Sequence, residues 1–173
     1  ISEGKDLDLV EKVVANVKNA PGVMLLDYSS DADHNRSVIS YIGAPQAMVE
    51  ASKNLVKTAV ELIDMTRHKG SHPRQGAVDV VPFIPVRDIS QEKSVGLAHD
   101  FGKWIGDTLN VPVYFYEDAA TNPERVSLPK VRKGHWKRRP ATTCEPTSNG
   151  ATARTGPFWA WRATSIGSGS KTP

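Results

Sequence analysis

The sequence predicts an α+β protein, a two-layer sandwich in which helices pack on one face of a mixed, mostly antiparallel sheet. Three segments place apolar residues at spacings of three and four, which is the period of an amphipathic helix. Four short apolar runs, bounded by turn-forming residues, are typical of strands. The two kinds of segment follow one another in mixed order, and 173 residues are enough to bury one core.

The predicted helices cover residues 6–20, 45–67 and 90–109. The apolar stripe of the first helix comprises Leu9, Val10, Val13, Val14 and Val17. Pro21 and Gly22 follow this stripe and are expected to end the helix. Ser90 precedes the third helix, where a serine side chain can accept a hydrogen bond from a free backbone N–H and so cap the helix.

The predicted strands cover residues 23–30, 36–43, 77–86 and 111–117. The first two are expected to pair as a hairpin across the polar connection 30–35, which is rich in turn formers. Pro82 and Pro85 interrupt the third strand, so its far end is expected to leave the sheet.

The pattern changes after residue 133. Residues 134–173 contain one branched aliphatic side chain, Ile166, whereas Gly, Ser, Thr, Pro and Ala supply twenty-five of the forty positions. A packed core cannot be built from this composition, so we expect a folded unit over 1–133 and an irregular, disordered tail over 134–173. The change is abrupt, and an out-of-frame translation of the tail is a sharper hypothesis for it.

Charge separates the same two parts, because residues 1–133 carry a net charge of −2 and residues 134–173 carry +5. The run KRR at 137–139, beside Trp136, is the one segment that suggests nucleic acid. Three basic residues in a tail are common and the remainder of the chain is acidic, so no nucleic-acid partner is expected.

Composition also bears on compartment and membranes. No apolar run approaches eighteen residues, so no membrane span is expected. The single cysteine, Cys144, favours a reducing compartment, and we expect a cytoplasmic protein. The chain begins at Ile1 without an initiator Met, from which we expect it to be incomplete at its start.

The stretch RHKGSHPRQGAVDVVPF, residues 67–83, is the strongest candidate for a functional site. Its cationic and imidazole side chains are Arg67, His68, Lys69, His72 and Arg74. This is either an ordinary solvated loop or a site for an anion. The three cations would lower the pKa of His72 by repulsion and keep its imidazole neutral, which is how a general base is made.

Histidines four residues apart can share a metal ion on a helix. Gly70 lies between His68 and His72, Pro73 follows, and the glutamate of an HExxH motif is missing, so a metal-binding helix is not expected here. No metal is therefore predicted.

Two acids accompany this basic loop in the prediction. Asp79 lies among valines, either on a solvated strand face or buried, where it would orient His72 or accept hydrogen bonds from an amino-bearing heterocycle. Asp27 has a similar setting near the end of another predicted strand, and the two could form the polar floor of a cleft. Arg36, at a strand start, could hold a carboxylate through two parallel hydrogen bonds, although its turn, 31–36, is otherwise a plain connection.

Four stretches resemble the N-terminal subdomain of bacterial glutamate formimidoyltransferases, the folate-dependent enzymes of histidine breakdown. They are ISEGKD, PGVMLLDYSSDADHNRSV, LIDMTRHKGSHPRQGAVDVVPFIPV and VPVYFYEDAATNPERVSLPKVRKG. They occur in order over residues 1–134, and the block HKGSHPRQGAVDV is highly specific.

The resemblance implies transfer of a formimino group from N-formimino-L-glutamate to tetrahydrofolate, which acts as cosubstrate. The histidine of the HPR motif is the catalytic residue of that family and corresponds to His72 here. Both substrates are polycarboxylates, so Arg67, Lys69 and Arg74 are expected to form a basic funnel for them. The resemblance further implies a homodimer.

The chain departs from the family pattern in several places. A Pro-Asn pair and a first strand before the SEG motif are missing, and Ser71 and Gln75 replace a common Glu and Met. The family continues into a second subdomain that completes the cleft, whereas here the atypical tail follows. Three possibilities therefore stay open: the N-terminal part of an active enzyme, a folate- or anion-binding fragment without turnover, and a non-functional fragment. Formyl instead of formimino transfer is a further alternative.

Overall fold

A computed structural model of the chain describes residues 1–71, 76–134 and 159–163, with residues 133–134 and 159–163 described by their backbone alone. The elements are α1 (Leu7–Lys18), β1 (Val23–Asp31), β2 (Arg36–Gly43), α2 (Pro45–Leu62), β3 (Val80–Phe83), α3 (Gln91–Leu109), β4 (Val113–Glu117), α4 (Leu128–Gly134) and β5 (Trp159–Ala163). A short 3₁₀ turn at Pro123–Arg125 precedes α4. The predicted α+β class is confirmed.

Helix α1 begins where a side chain replaces the missing backbone partner. Asp6 Oδ1 accepts a hydrogen bond from the Leu9 N–H at 3.0 Å, which caps the helix. The buried residues of α1 are Val10, Val13, Val14 and Val17. The stripe predicted from their spacing is therefore the face that packs into the core.

Strands β1 and β2 form the predicted antiparallel hairpin, with Val23 opposite Gly43 at one end and Asp31 opposite Arg36 at the other. A β-bulge between Leu25 and Asp27 shifts the register within β1. Residues 31–36, which we call the hairpin turn, close the hairpin at the end where Arg36 lies.

The described strands form two sheets, where the sequence predicts one mixed sheet. The first is the β1–β2 pair, and the second is parallel, in the order β3–β5–β4. Ile1 and Ser2 lie between them: Ile1 exchanges two backbone hydrogen bonds with Ser37 of β2, at 2.8 and 2.9 Å, and the Ser2 N–H donates to the Ala77 carbonyl at 2.7 Å. Two residues at the start of the chain thus hydrogen-bond to β2 on one side and to the approach to β3 on the other.

Strand β5 belongs to the segment that the sequence predicts to be an irregular tail. It pairs in parallel with β3 on one side and with β4 on the other. Most of residues 134–173, including 137–139 and Cys144, lie outside the described residues. The boundary after residue 133, the disorder of the tail and its out-of-frame origin therefore stay predictions.

The main core lies between the three long helices and the strands. Its fully buried members include Val13, Val56, Ala59, Phe101 and Ile105. Phe101 of α3 meets Phe83 of β3 edge to face, with ring centroids 5.7 Å apart. A smaller cluster unites Tyr114 and Tyr116 of β4 with Val131 of α4, a helix that the sequence analysis did not predict.

Two elements are shorter than predicted, and hydrogen bonds at their ends differ from those of a continuing helix or strand. Helix α2 ends at Leu62 instead of residue 67, because the Asp64 side chain accepts bonds from both the N–H and the hydroxyl of Thr66 and so favours a turn. Strand β3 begins at Val80 instead of residue 77, and the Ala77 carbonyl accepts from the Ser2 N–H instead of pairing with a strand of the parallel sheet.

Within the part of the chain that the structure describes, no helix has the length and apolar character needed to cross a bilayer.

Candidate active site

The predicted base His72 and the predicted anion-binding Arg74 lie in residues 72–75, which are outside the described residues. The chain on either side is described. We call residues 68–71 the upstream flank and residues 76–79 the downstream flank. The hydrogen bonds that fix these two flanks determine where the chain enters and leaves residues 72–75.

The upstream flank is bonded to the hairpin turn through Asn35. The Asn35 Nδ2 donates to the Lys69 carbonyl at 2.9 Å, and the His68 ring nitrogen Nε2 lies 3.1 Å from the Asn35 carbonyl. The Asn35 Oδ1 accepts from the Gly4 N–H at 2.9 Å. One buried asparagine therefore joins three stretches that are far apart in sequence.

The same flank makes two further contacts with the hairpin turn. Both the N–H and the hydroxyl of Ser71 donate to the Asp33 carbonyl, each at 3.2 Å. Gly70 packs so closely that a Cβ built on it would lie 2.4 Å from the His34 carbonyl oxygen. Only glycine allows this approach of two backbones.

The downstream flank is held by Ser2. The Ser2 hydroxyl donates to the Gly76 carbonyl at 2.5 Å, and the Ser2 N–H donates to the Ala77 carbonyl at 2.7 Å. Ser2 is 3% exposed, so both bonds are shielded from water.

The loop that carries Ser2 and Gly4, residues 1–6, is itself ordered by Glu3. Its Oε1 accepts from the backbone N–H groups of Gly4, Lys5 and Asp6, at 2.8 to 3.0 Å. The Glu3 carbonyl accepts from the Ser37 hydroxyl at 2.5 Å. This N-terminal loop is therefore a fixed support on which both flanks rest.

Three predicted anion-binding cations are described, namely Arg36, Arg67 and Lys69, and all three are exposed. Arg36 follows Asn35 directly, and the Lys69 backbone is bonded to the Asn35 side chain, so the structure brings Arg36 and Lys69 to the same end of the hairpin. Arg67 lies two residues before Lys69 on the same segment. Their charges face solvent, where an anionic substrate could reach them.

Asp79 is buried rather than solvated, which decides between the two interpretations of its environment. Its side chain is 13% exposed and forms an ion pair, through Oδ2, with Arg132 of α4. The other oxygen, Oδ1, is buried and has no hydrogen-bond partner among the described residues. Arg132 was not predicted as a site residue.

The charges of Asp79 and Arg36 both act on the amino group of Ile1. Burial lowers the pKa of this amino group to about 6, while the Asp79 carboxylate raises the pKa and the Arg36 guanidinium lowers it further. Both Asp79 and Arg36 are therefore close enough to the N-terminal loop to act on it electrostatically.

Asp27 does not occupy the strand end at which the sequence analysis placed it. It lies within β1, immediately after the bulge, is exposed, and pairs in register with Ser40. Asp31 is four positions further along β1, about 13 Å away at the usual rise of a strand. The bulge, which the sequence does not announce, sets the face on which Asp27 lies.

The described residues also bear on two other kinds of site. No three His, Cys, Asp or Glu side chains among them are grouped so that they could hold a metal ion. An open groove of about 440 Å³ between α1 and α2 is lined partly by Asn16, Asn19 and Asn54. The groove lies at the end of α1 opposite the N-terminal loop, so it is separate from this site.

Comparison with known families gives this geometry a context. A family described as "Formiminotransferase domain, N-terminal subdomain" matches residues 1–163. The chain belongs to this family. The formiminotransferase match includes both flanks, the N-terminal loop, the hairpin turn and β5.

Individual formiminotransferases agree with this assignment. The glutamate formimidoyltransferase of Streptococcus pyogenes serotype M1 is 48% identical over 144 residues, which are 83% of this chain and 48% of that protein. The one from Thermoplasma acidophilum is 41% identical over 136 residues, or 79% and 45%. The formimidoyltransferase-cyclodeaminase of Mus musculus is 42% identical over 139 residues, or 80% and 26%. The chain spans about half the length of the shorter relatives and about a quarter of the mouse protein.

Sequence reasoning missed Ser2, Asn35 and Arg132 in this formiminotransferase subdomain. Ser2 and Asn35 act through bonds to residues more than thirty positions away, which no local pattern reveals. Arg132 lies in VRKG, at the end of the last stretch that resembles the family. The sequence did indicate a partner for Asp79, because a carboxylate buried among valines is costly unless it is paired with a cation.

Proposed function

We propose that this chain is the N-terminal part of a folate-dependent transferase that moves a formimino group from N-formimino-L-glutamate to tetrahydrofolate. The observation that carries the proposal is the motif HKGSHPRQGAVDV, whose two flanks are each hydrogen-bonded to the rest of the fold. A catalytic group on a loop needs such support, because its chemistry depends on orientation.

His72 is the proposed general base and acid. N5 of tetrahydrofolate forms a bond to the formimino carbon and loses its proton to the imidazole. The imidazole then returns a proton to the glutamate nitrogen as the bond between that nitrogen and the formimino carbon breaks. The imidazole ends the cycle in its starting state, and tetrahydrofolate leaves as the 5-formimino derivative.

The cations Arg36, Arg67, Lys69 and Arg74 are proposed to bind the carboxylates of the two substrates. The exposure of the three described ones supports this role, because a charge in solvent can meet an incoming anion without first breaking a buried pair. An arginine binds a carboxylate through two parallel hydrogen bonds, whereas a lysine acts as a point charge.

Asp79 is proposed to act within the site through Oδ1. Since Arg132 pairs with Oδ2, the other oxygen stays available to orient His72 or to accept a hydrogen bond from the amino group of the folate ring. Asp27 is proposed to contribute to the polar cleft floor, although its position within β1 weakens that role.

Partner and compartment follow from the same family. We infer that the C-terminal half found in the relatives completes the cleft, and that the complete protein works in the cytoplasm as a dimer. The second candidate is a fragment that binds folate or anions without turnover. The exposed cations Arg36, Arg67 and Lys69 would serve anion binding alone equally well.

The decisive experiment fuses this chain to the C-terminal half of the Streptococcus pyogenes relative and measures formimino transfer to tetrahydrofolate. We expect turnover by the fusion, little turnover by the chain alone, and a loss of about a hundredfold or more in the fusion carrying His72→Ala. Formyl-glutamate, supplied in parallel, identifies the donor. A loss within about twofold for His72→Ala would place the base elsewhere, and binding of folate by a fusion without turnover would favour the second candidate.

A further inference from the structure

Asn35 has an unusual combination of backbone conformation and burial. Its φ is 51°, in the left-handed region, and it is only 6% exposed. Asparagine tolerates this region better than most residues, because its short polar side chain can bond to nearby backbone. A buried side-chain amide must also find hydrogen-bond partners for its N–H groups and its oxygen, so the neighbouring groups determine whether asparagine is tolerated there.

The Asn35 side chain bonds to backbone on two sides at once. Its oxygen accepts from Gly4 in the N-terminal loop, and its nitrogen donates to the Lys69 carbonyl in the upstream flank. Aspartate would supply an acceptor but no donor, and glycine would keep the left-handed backbone but supply neither. Asparagine alone combines the conformation, the donor and the acceptor at this reach.

We propose that Asn35 is a positioning residue of the reaction, which ties the upstream flank to the N-terminal loop and so sets where the chain enters position 72. This inference rests on the proposed function, since it assigns Asn35 a task that acts through His72. Lys69 is three residues before His72, and a displacement of about 1 Å at a reacting group can cost about a hundredfold in rate.

The two flanks depend on different residues, which makes the inference specific. Ser2 holds the downstream flank through Gly76 and Ala77, and these bonds do not involve Asn35. Replacing Asn35 should therefore loosen the upstream flank and leave the downstream flank in place. A general loss of folding would loosen both.

The chain offers a matched control. Asn110 also has a left-handed backbone, with φ of 55°, but it is the exposed C-cap residue of α3, and no side-chain hydrogen bond joins it to the described residues of either flank. Asn35→Gly and Asn110→Gly are thus the same chemical change in the same backbone conformation. Only Asn35→Gly removes the two side-chain hydrogen bonds to Gly4 and Lys69.

The first test measures amide hydrogen exchange in this chain, without any activity. The Ser71 N–H donates from the upstream flank and the Ser2 N–H donates to the downstream flank, so each reports on one flank. We expect Asn35→Gly to speed exchange at Ser71 at least tenfold while exchange at Ser2 changes less than threefold, and Asn110→Gly to change neither. Equal acceleration at both sites, or none at Ser71, would overturn the proposal.

The second test measures kinetics in the fusion with the C-terminal half. Asn35→Gly should lower kcat at least tenfold with KM changed less than threefold, and Asn110→Gly should keep kcat within twofold. A double variant with His72→Ala should lose no more than His72→Ala alone, because Asn35 acts through that ring. Losses that multiply, or a kcat for Asn35→Gly equal to that of the control, would overturn the inference.

The two failures are distinguishable. If the fusion transfers no formimino group, the proposed function is wrong; if it turns over and His72→Ala leaves turnover unchanged, the base lies elsewhere. If His72→Ala abolishes turnover while Asn35→Gly does not lower kcat, the proposed function stands and the positioning role of Asn35 is wrong.

Discussion

Asp79 and Arg132 show how a single residue connects distant elements at this site. The carboxylate precedes β3 and the guanidinium belongs to α4, so their ion pair fastens α4 to the downstream flank. Removing one member of a buried pair leaves the other without compensation, and that is costlier than replacing both. The pair therefore acts on the position of the downstream flank as well as on stability.

The amino group of Ile1 makes stability depend on pH in the chain as it stands. Burial lowers its pKa to about 6, below its ordinary value of about 8. Between these values the unfolded chain binds a proton that the folded chain does not, so stability should rise with pH from 6 to 8. With pKa values of about 6 in the folded chain and about 8 in the unfolded chain, the gain between pH 6 and pH 8 is about 2 kcal/mol, because one state is only half titrated at each end of this range.

Chemical denaturation at pH 6 and pH 8 measures this prediction. Acetylation of the Ile1 nitrogen is the control, since it removes the titrating group but keeps an N–H that can donate to the Ser37 carbonyl. The free chain should gain about 2 kcal/mol more than the acetylated chain. Identical pH dependence in both would contradict the assigned burial of the amino group.

At the scale of the elements, the close packing of α3 on β4 depends on Gly102. A Cβ on this residue would lie 2.5 Å from the Cζ of Phe115 and 3.1 Å from the Cγ1 of Val113. Gly102→Ala should therefore destabilise the fold by about 1–3 kcal/mol through overpacking, despite the better helix propensity of alanine.

Gly96, on the same helix, provides the comparison. A Cβ there would meet no atom within 4 Å, so Gly96→Ala should stabilise the fold by about 0.5–1 kcal/mol. Urea unfolding of both variants and of the unchanged chain measures these two differences in the free energy of unfolding. The packing of α3 against Phe115 would be refuted by a Gly102→Ala variant as stable as Gly96→Ala.

Elements with a strong internal period could be predicted from the sequence, and those held by distant partners could not. The valine stripe of α1, the Ser90 cap of α3 and the β1–β2 hairpin all follow local rules, and all three are confirmed. Strand β5 was missed because its pairing with β3 and β4 comes from the fold, in a stretch without alternating polarity.

The same distinction holds for the site. The cations and the imidazoles of residues 67–74 are visible in the sequence as a cluster. The bonds that support them are not, because Ser2, Asn35 and Arg132 reach their partners from 31 to 74 positions away. The bulge in β1 just before Asp27 could not be predicted for a similar reason, since the register shift has no local signature there.

At the scale of the whole molecule, we propose that the described residues form one wall of a substrate cleft. The N-terminal loop supports both flanks of the predicted catalytic motif, and exposed cations lie at the same end of the hairpin. The curated relatives continue for about as many residues again, or more. We therefore expect the wall described here to position the proton-transfer group, while the remaining length completes the binding of two substrates.

The central claim is that the ring of His72 is uncharged at neutral pH and can accept the proton of N5. Titration of that ring by NMR, in this chain and in the fusion, tests it most directly. The account predicts a midpoint below about 6.5, the ordinary value, because Arg67, Lys69 and Arg74 repel a second positive charge. A midpoint above about 7.5 would mean that the ring already carries its proton at neutral pH, and would contradict the account.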